Sequence, residues 1–166
     1  MPDAITLLTE DHRHVERLFE EFDRTQDPQV ALEVCLQLSV HAMVEEELLY
    51  GLYSAKVDNA GAAEARAEHK EARDLILALK GTDPGSEEFV ATMGRLKASV
   101  QHHVQEEENE MFPKLLDRIP ETAAILGNDI TARKAVVEAQ LRADRAVGMA
   151  PSATSPNPAA SPEAGR

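Results

Sequence analysis

The chain has 166 residues, 43% hydrophobic but only 4% aromatic and without Trp, so its core is aliphatic and its length suits one domain with a tail. A net charge of −13 opposes binding to nucleic acid or to an anionic membrane surface, both of which reward clustered Lys and Arg. The single cysteine, Cys35, excludes an internal disulfide and a thiolate metal site, and its apolar neighbours Val34 and Leu36 make it a small packing residue.

The first helix is expected over about residues 3–23, where Ile5, Leu8, His12, Val15, Phe19 and Phe22 recur at alternating steps of three and four and share one face. Asp27-Pro28 is a start signal: an N-cap acceptor, then a proline whose missing N–H is harmless in the first turn. The second helix then runs to about residue 56, with the stripe Ala31, Val34, Leu38, His41, Glu45, Leu48, Leu52. Asp58, Asn59 and Gly61 make a turn, and a third helix over about residues 62–80 carries Ala62, Ala65, His69, Ala72, Ile76 and Leu79 on one face. Residues 81–85 form a loop, and Ser86 can cap a fourth helix. Its stripe is Phe89, Met93, Leu96, Val100, His103, Glu107, Met111, until Pro113 bends or ends it. A further helical stretch is expected over about residues 121–146, with a break near Gly127. From Gly148 onward Pro, Ala and Ser without periodicity read as a disordered tail. The expected division is a helical domain over 1–118, a helical extension over 119–147 and a tail over 148–166. The first residues show no basic segment followed by an apolar run, and no apolar stretch approaches the roughly 18 residues that span a bilayer, so a cytoplasmic location is expected.

Short connections between long helices force antiparallel neighbours, which makes an all-α, up-down-up-down four-helix bundle. With a rise of about 1.5 Å per residue, His12, His41, His69 and His103 then fall near one plane across the bundle. Each of these histidines, and Glu45 and Glu107, interrupts an otherwise apolar stripe. A packed core does not normally hold six titratable side chains unless something binds them. A His and a Glu four apart lie one turn apart on one face, and the carboxylate can bridge to a second ion. The pattern His41-x-x-x-Glu45-Glu46 with Tyr50 nine residues after His41 is echoed by His103-x-x-x-Glu107-Glu108 with Phe112 nine residues after His103. This pseudo-repeat predicts two equivalent half-sites, one metal in each, with two histidines per ion and Glu45 and Glu107 shared; the working hypothesis for the pairing is His12 with His41 and His69 with His103. Mixed imidazole and carboxylate ligation with open positions suits iron, manganese less well; structural zinc usually closes at four ligands and often recruits Cys. The competing register His102 with Glu106 passes through Arg95 and Ser99 and points outward. His14, beside Arg13 and Arg17, reads as surface, and Glu46, Glu47, Glu106 and Glu108 as solvated faces.

Asp11-His12, His41-Ala-Met-Val-Glu45-Glu46, Glu68-His69 and His103-Val-Gln-Glu-Glu107-Glu108, followed by Phe112-Pro113, together resemble the hemerythrin-like, or HHE cation-binding, domains over about residues 4–116. The resemblance implies that His12, His41, His69 and His103 ligate iron and that Glu45 and Glu107 bridge a non-haem di-iron centre, two iron ions (Fe2+/Fe3+) that are oxo- or hydroxo-bridged. Oxygen-carrying members have a further histidine four residues after the one matching His69; here that position is Arg73. A coordination position is thereby left open, and Tyr50 and Tyr53, about one and two turns beyond Glu45, are candidate additional ligands. An open centre of this kind suits reaction with O2, hydrogen peroxide or nitric oxide. Peroxide decomposition is the first expectation, and an iron or diatomic-gas binding or sensing module without turnover the alternative. The expected partner is thus a small molecule, on a monomer or weak homodimer. A ferritin-like carboxylate site ranks lower, because it uses E-x-x-H spacing and more carboxylates; a metal-free helical interaction protein is the remaining rival.

Overall fold

The computed structural model describes residues 3–148, and among these the chain is all-helical, with five long helices and two short ones. The side chain of Asp3 accepts from the Thr6 amide at 2.9 Å and opens α1 (Ala4–Thr25). That helix buries Ala4, Leu8, His12, Val15, Phe19 and Phe22, with Ile5 half-buried at its start. Asp27 accepts from the Gln29 amide at 2.8 Å and α2 (Pro28–Leu48) begins with its proline in the first turn.

The second helix does not run unbroken to residue 56. It is interrupted at Leu49, and a short α3 (Tyr50–Lys56) follows. The inward face shifts with it: Leu49, Tyr50 and Tyr53 are buried, whereas Leu48 and Leu52 are only half-buried. Asp58 caps α4 (Asn59–Lys80) by accepting from the Ala60 and Gly61 amides, so this helix starts earlier than its apolar stripe. Ser86 caps α5 (Glu87–Glu106) through the Phe89 amide.

Pro113 neither ends nor simply bends the chain. Residues Glu107–Met111 form one π-helical turn, in which the Phe112 amide donates to the Glu107 carbonyl five residues back, and α6 (Phe112–Arg118) continues beyond it. Proline has no amide to donate and its ring crowds the carbonyl four residues earlier; widening the turn just before it relieves both problems.

The last helix, α7 (Pro120–Gly148), is continuous through Gly127. A helical glycine costs about 1 kcal/mol relative to alanine. That is less than α7 gains by packing along α1 and α2, where Ala123, Leu126, Ile130 and Val137 are buried. The packing explains a second buried face on α2, Val40 and Val44, which join Ile130 and Val137 in one apolar cluster. The tail expected over 148–166 lies outside the described residues save for Gly148, the end of α7.

Two apolar clusters divide the core. One gathers Leu8, Val44, Leu49, Tyr53, Phe112 and Leu115 with the face of α7; the other gathers Phe19, Phe22, Val34, Phe89, Met93 and Leu96. The six titratable side chains sit between them, as the stripes place them. No helix among the described residues is long and apolar enough to cross a membrane.

Candidate metal centre

His12, His41, His69 and His103 arrive from α1, α2, α4 and α5, and all four are at least 94% buried; Glu45 and Glu107 are 0% and 1% exposed. The imidazoles meet in pairs. His12 Nε2 lies 3.3 Å from His41 Nε2, and His69 Nε2 lies 3.0 Å from His103 Nε2. Glu45 Oε2 is 3.1 Å from His41 Nε2 and 3.4 Å from His69 Nε2; Glu107 Oε2 is 3.3 Å from His12 Nε2 and 3.5 Å from His103 Nε2. Each carboxylate therefore reaches one imidazole of each pair.

The outward nitrogens are held by a ring of carboxylates. His12 Nδ1 meets Glu108 at 2.8 Å, His41 Nδ1 meets Asp11 at 3.5 Å, His69 Nδ1 meets Glu46 at 3.0 Å and His103 Nδ1 meets Glu68 at 2.7 Å. Each acid is the sequence neighbour of one inward donor and grips the imidazole of an adjacent helix. The links close a circle: Asp11 of α1 to α2, Glu46 of α2 to α4, Glu68 of α4 to α5, and Glu108 of the π turn back to α1. A carboxylate can only accept, so Nδ1 carries a proton and Nε2 is the nitrogen turned inward. Glu46 and Glu108 are thus not the solvated residues their sequence positions suggest. The available signal was an acid directly beside four of the six inward donors, in Asp11-His12, Glu45-Glu46, Glu68-His69 and Glu107-Glu108. Glu47 is exposed and pairs with Arg133, and Glu106 faces the exposed His102. His14 is exposed.

Tyr50 enters this cluster and Tyr53 does not. The Tyr50 hydroxyl lies 2.7 Å from Glu107 Oε1, 3.1 Å from Glu45 Oε2, 3.1 Å from His69 Nε2 and 3.4 Å from His103 Nε2. In an uninterrupted helix a residue five past Glu45 would be rotated about 140° away from it. The interruption at Leu49 returns Tyr50 to the face of His41 and Glu45. The π turn does the same for Phe112, five residues past Glu107. The two rings are counterparts: Tyr50 stacks on His69 at 5.1 Å between centroids, Phe112 on His12 at 5.9 Å. One hydroxyl thus makes the two half-sites chemically different. Arg73, at the position of the missing histidine, pairs with Glu46 instead of facing the donors. Tyr53 is buried, with Asp58 and Glu110 as its charged neighbours, and no hydrogen bond joins it to the six donors among the described residues. Burial, then these two carboxylates, push its hydroxyl up to about 12.

The electrostatics follow from crowding. Burial opposes the protonated form of His41, but Glu45 and Asp11 outweigh it and hold its pKa well above the ordinary histidine range; His103 is raised in the same way, chiefly by Glu107 and Glu68 against burial. Burial opposes ionisation of Glu45, yet His41 and His69 hold its carboxyl well below the usual range. Tyr50 is pushed far up by burial and by Glu45 and Glu107, so it stays a donor.

The donor set fits cations. Glu45 Oε1 and Glu107 Oε2 are buried without a hydrogen-bond partner, an arrangement that folded proteins avoid unless another group satisfies the oxygens. Two bare imidazole nitrogens at 3.0 or 3.3 Å likewise need a proton or a cation between them. Two sets of donor atoms, His12-His41-Glu45-Glu107 and Glu45-His69-His103, each lie mutually within 4.8 Å and share Glu45. Above the four imidazoles is a cavity of about 230 Å³ with mainly apolar walls that include Val15, Leu38, Ala72, Ile76 and Val100. The half-buried Cys35 packs in the second core cluster, and burial pushes its thiol up to about 11.

The model of a family described as the Hemerythrin HHE cation binding domain matches residues 3–115. The crystal structure of a hemerythrin HHE cation binding domain-containing protein from Mycobacterium kansasii resembles this chain with a TM-score of 0.77, covering 90% of this chain and 96% of that one at 23% identity, a likeness of fold. A protein of Nostoc sp. described as a DNA nickase is 29% identical over 113 residues, which are 66% of this chain. The chain spans about a third, 32%, of the length of that relative.

Proposed function

The chain belongs to the hemerythrin HHE cation-binding domain family, and from that premise we propose that it holds a non-haem di-iron centre that reacts with a small oxidant, with hydrogen peroxide decomposition as its activity. His12 and His41 would hold one ion, His69 and His103 the other, and Glu45 and Glu107 would span both. Tyr50 would serve as an additional ligand in the second half-site only on giving up its proton, and otherwise as a hydrogen-bond donor to the two carboxylates. A bound iron pair would supply redox chemistry and open coordination positions for O2, hydrogen peroxide or nitric oxide.

The observation that carries this reading is the cavity over the imidazoles. A site that used metal only to brace the fold would be closed. Here about 230 Å³ of mainly apolar space meets all four histidines, and its apolar walls favour a small uncharged molecule over a charged one. The chain's own residues do the rest. The four outer carboxylates hold the imidazoles in the tautomer that offers Nε2. Tyr50 keeps its proton against two carboxylates and is placed to hold it at Glu107 Oε1, 2.7 Å away. The net charge of −13 opposes binding to a phosphate backbone.

Anaerobic loading with ferrous iron, oxidation, and addition of hydrogen peroxide with an oxygen electrode provides the test. Rapid O2 release that disappears in His41→Ala/His103→Ala supports the proposal. A stable adduct without turnover would reassign the protein to gas or iron binding, and retention of two irons by the double variant would refute the ligand assignment.

A further inference from the structure

Each of the four outer carboxylates is itself held by a cationic or cation-forming side chain. Arg13 grips Glu108, Arg73 grips Glu46, His102 faces Glu68, and Lys134 grips Asp11. Three of these partners come from the helices that carry the donors. Lys134 comes from α7, beyond the 3–115 segment that the family model matches.

On α7, Lys134 stands where an apolar residue belongs. The inward stripe reads Ala123, Leu126, Ile130, Lys134, Val137, Leu141, in steps of three and four, and its other members are buried or partly buried in the core. An ammonium at a core-facing position is costly unless paired. A lysine there can often snorkel to water. This one turns to Asp11 Oδ1 instead, with side chains only 24% and 17% exposed. The other oxygen of the same carboxylate, Oδ2, faces His41 Nδ1 at 3.5 Å. That is the longest of the four imidazole–carboxylate contacts, hence the one most sensitive to how its carboxylate is oriented. Leu141, two turns further along α7, lines the cavity over the same imidazoles.

We propose that Lys134 is a positioning residue of the metal centre: through Asp11 it fixes the His41 imidazole, so that the C-terminal helix completes the His12–His41 half of the site. The ammonium occupies Asp11 Oδ1 and leaves Oδ2 to orient His41, as groups behind metal ligands do elsewhere. The inference rests on cation binding by the six inner donors.

The test is anaerobic calorimetric titration of the metal-free full chain with ferrous ion, with thermal melting of the same samples. Lys134→Met should weaken one of the two binding steps by about tenfold, the low end of the effect of groups behind metal ligands, and leave the other within about twofold. Lys134→Gln gives the same result if the methionine variant folds poorly, and Lys134→Arg restores most of the loss. Arg133→Gln, which breaks an exposed pair with Glu47 that leads to no donor, should leave both steps unchanged. Equal affinity in wild type and Lys134→Met, or an equal loss in Arg133→Gln, would overturn the inference while leaving the metal site standing. A wild-type chain that binds no ferrous ion would overturn the metal reading and the inference together.

Discussion

Replacing Tyr50 by Phe removes one oxygen atom from the centre of the protein and leaves the ring. The ring's stacking on His69 survives, as Phe112 stacks on His12 with no hydroxyl. What goes is the donor to Glu107 Oε1 at 2.7 Å and Glu45 Oε2 at 3.1 Å. One proton serves one acceptor at a time, so the loss is that of one hydrogen bond to an ionised group, about 2 kcal/mol. The two carboxylates already have Glu45 Oε1 and Glu107 Oε2 buried without partners, so no spare donor can take over. For a chain of this size each kcal/mol moves the melting temperature by about 2–4 °C, so the metal-free variant should melt roughly 4–8 °C below the wild type. With ferrous ion in excess, cations satisfy the carboxylates and the gap should narrow if the hydroxyl serves only as their donor. If it also ligates, the gap stays and iron affinity falls. Circular-dichroism melts of both proteins, with and without iron, decide between these. Coincident melts of the two metal-free proteins would refute the reasoning, because the hydroxyl would then not be bonded to the buried carboxylates.

Metal uptake should weaken as pH falls. His41 and His103 bind protons more tightly than ordinary histidines, and each must release its proton to bind a cation, so a raised pKa means stronger proton competition. The decline in ferrous affinity should therefore begin above about pH 6.5, where an ordinary imidazole titrates; a profile flat down to that pH would contradict it. Glu68→Gln removes the charge 2.7 Å from His103 Nδ1 and should lower affinity by about 10- to 100-fold in the same titration, whereas Glu47→Gln on the surface should not. Leu96→Ala, at a fully buried position in the cluster remote from α7, should cost about 2–5 kcal/mol in denaturant unfolding yet leave two metals bound per chain. A loss of metal there would show that packing, and not the donors, limits binding.

Some features are written in local signals and could be read without coordinates. Apolar recurrence at steps of three and four marks the four bundle helices, Asp27-Pro28 and Ser86 mark two of their starts, and His12, His41, Glu45, His69, His103 and Glu107 stand out because each breaks a stripe. Helix geometry alone turns these positions inward, since residues one turn apart share a face whatever the neighbouring helices do. The interruption at Leu49 and the π turn before Pro113 were not legible in the same way. A one-residue slip leaves the apolar pattern nearly intact, yet it decides that Tyr50 and Phe112 reach the centre while Tyr53 stays away. Gly127 is a break by propensity and a continuous helix in fact, because burial against α1 and α2 outweighs a cost of about 1 kcal/mol. The outer ring lies furthest from the reach of pattern. Acids beside donors are visible in the chain, but the pairing of Asp11 with His41, Glu46 with His69, Glu68 with His103 and Glu108 with His12 depends on how the helices cross. So does Lys134, more than a hundred residues from the carboxylate it holds. Periodicity follows from the geometry of one helix; the partner of a charged group is set by the packing of several.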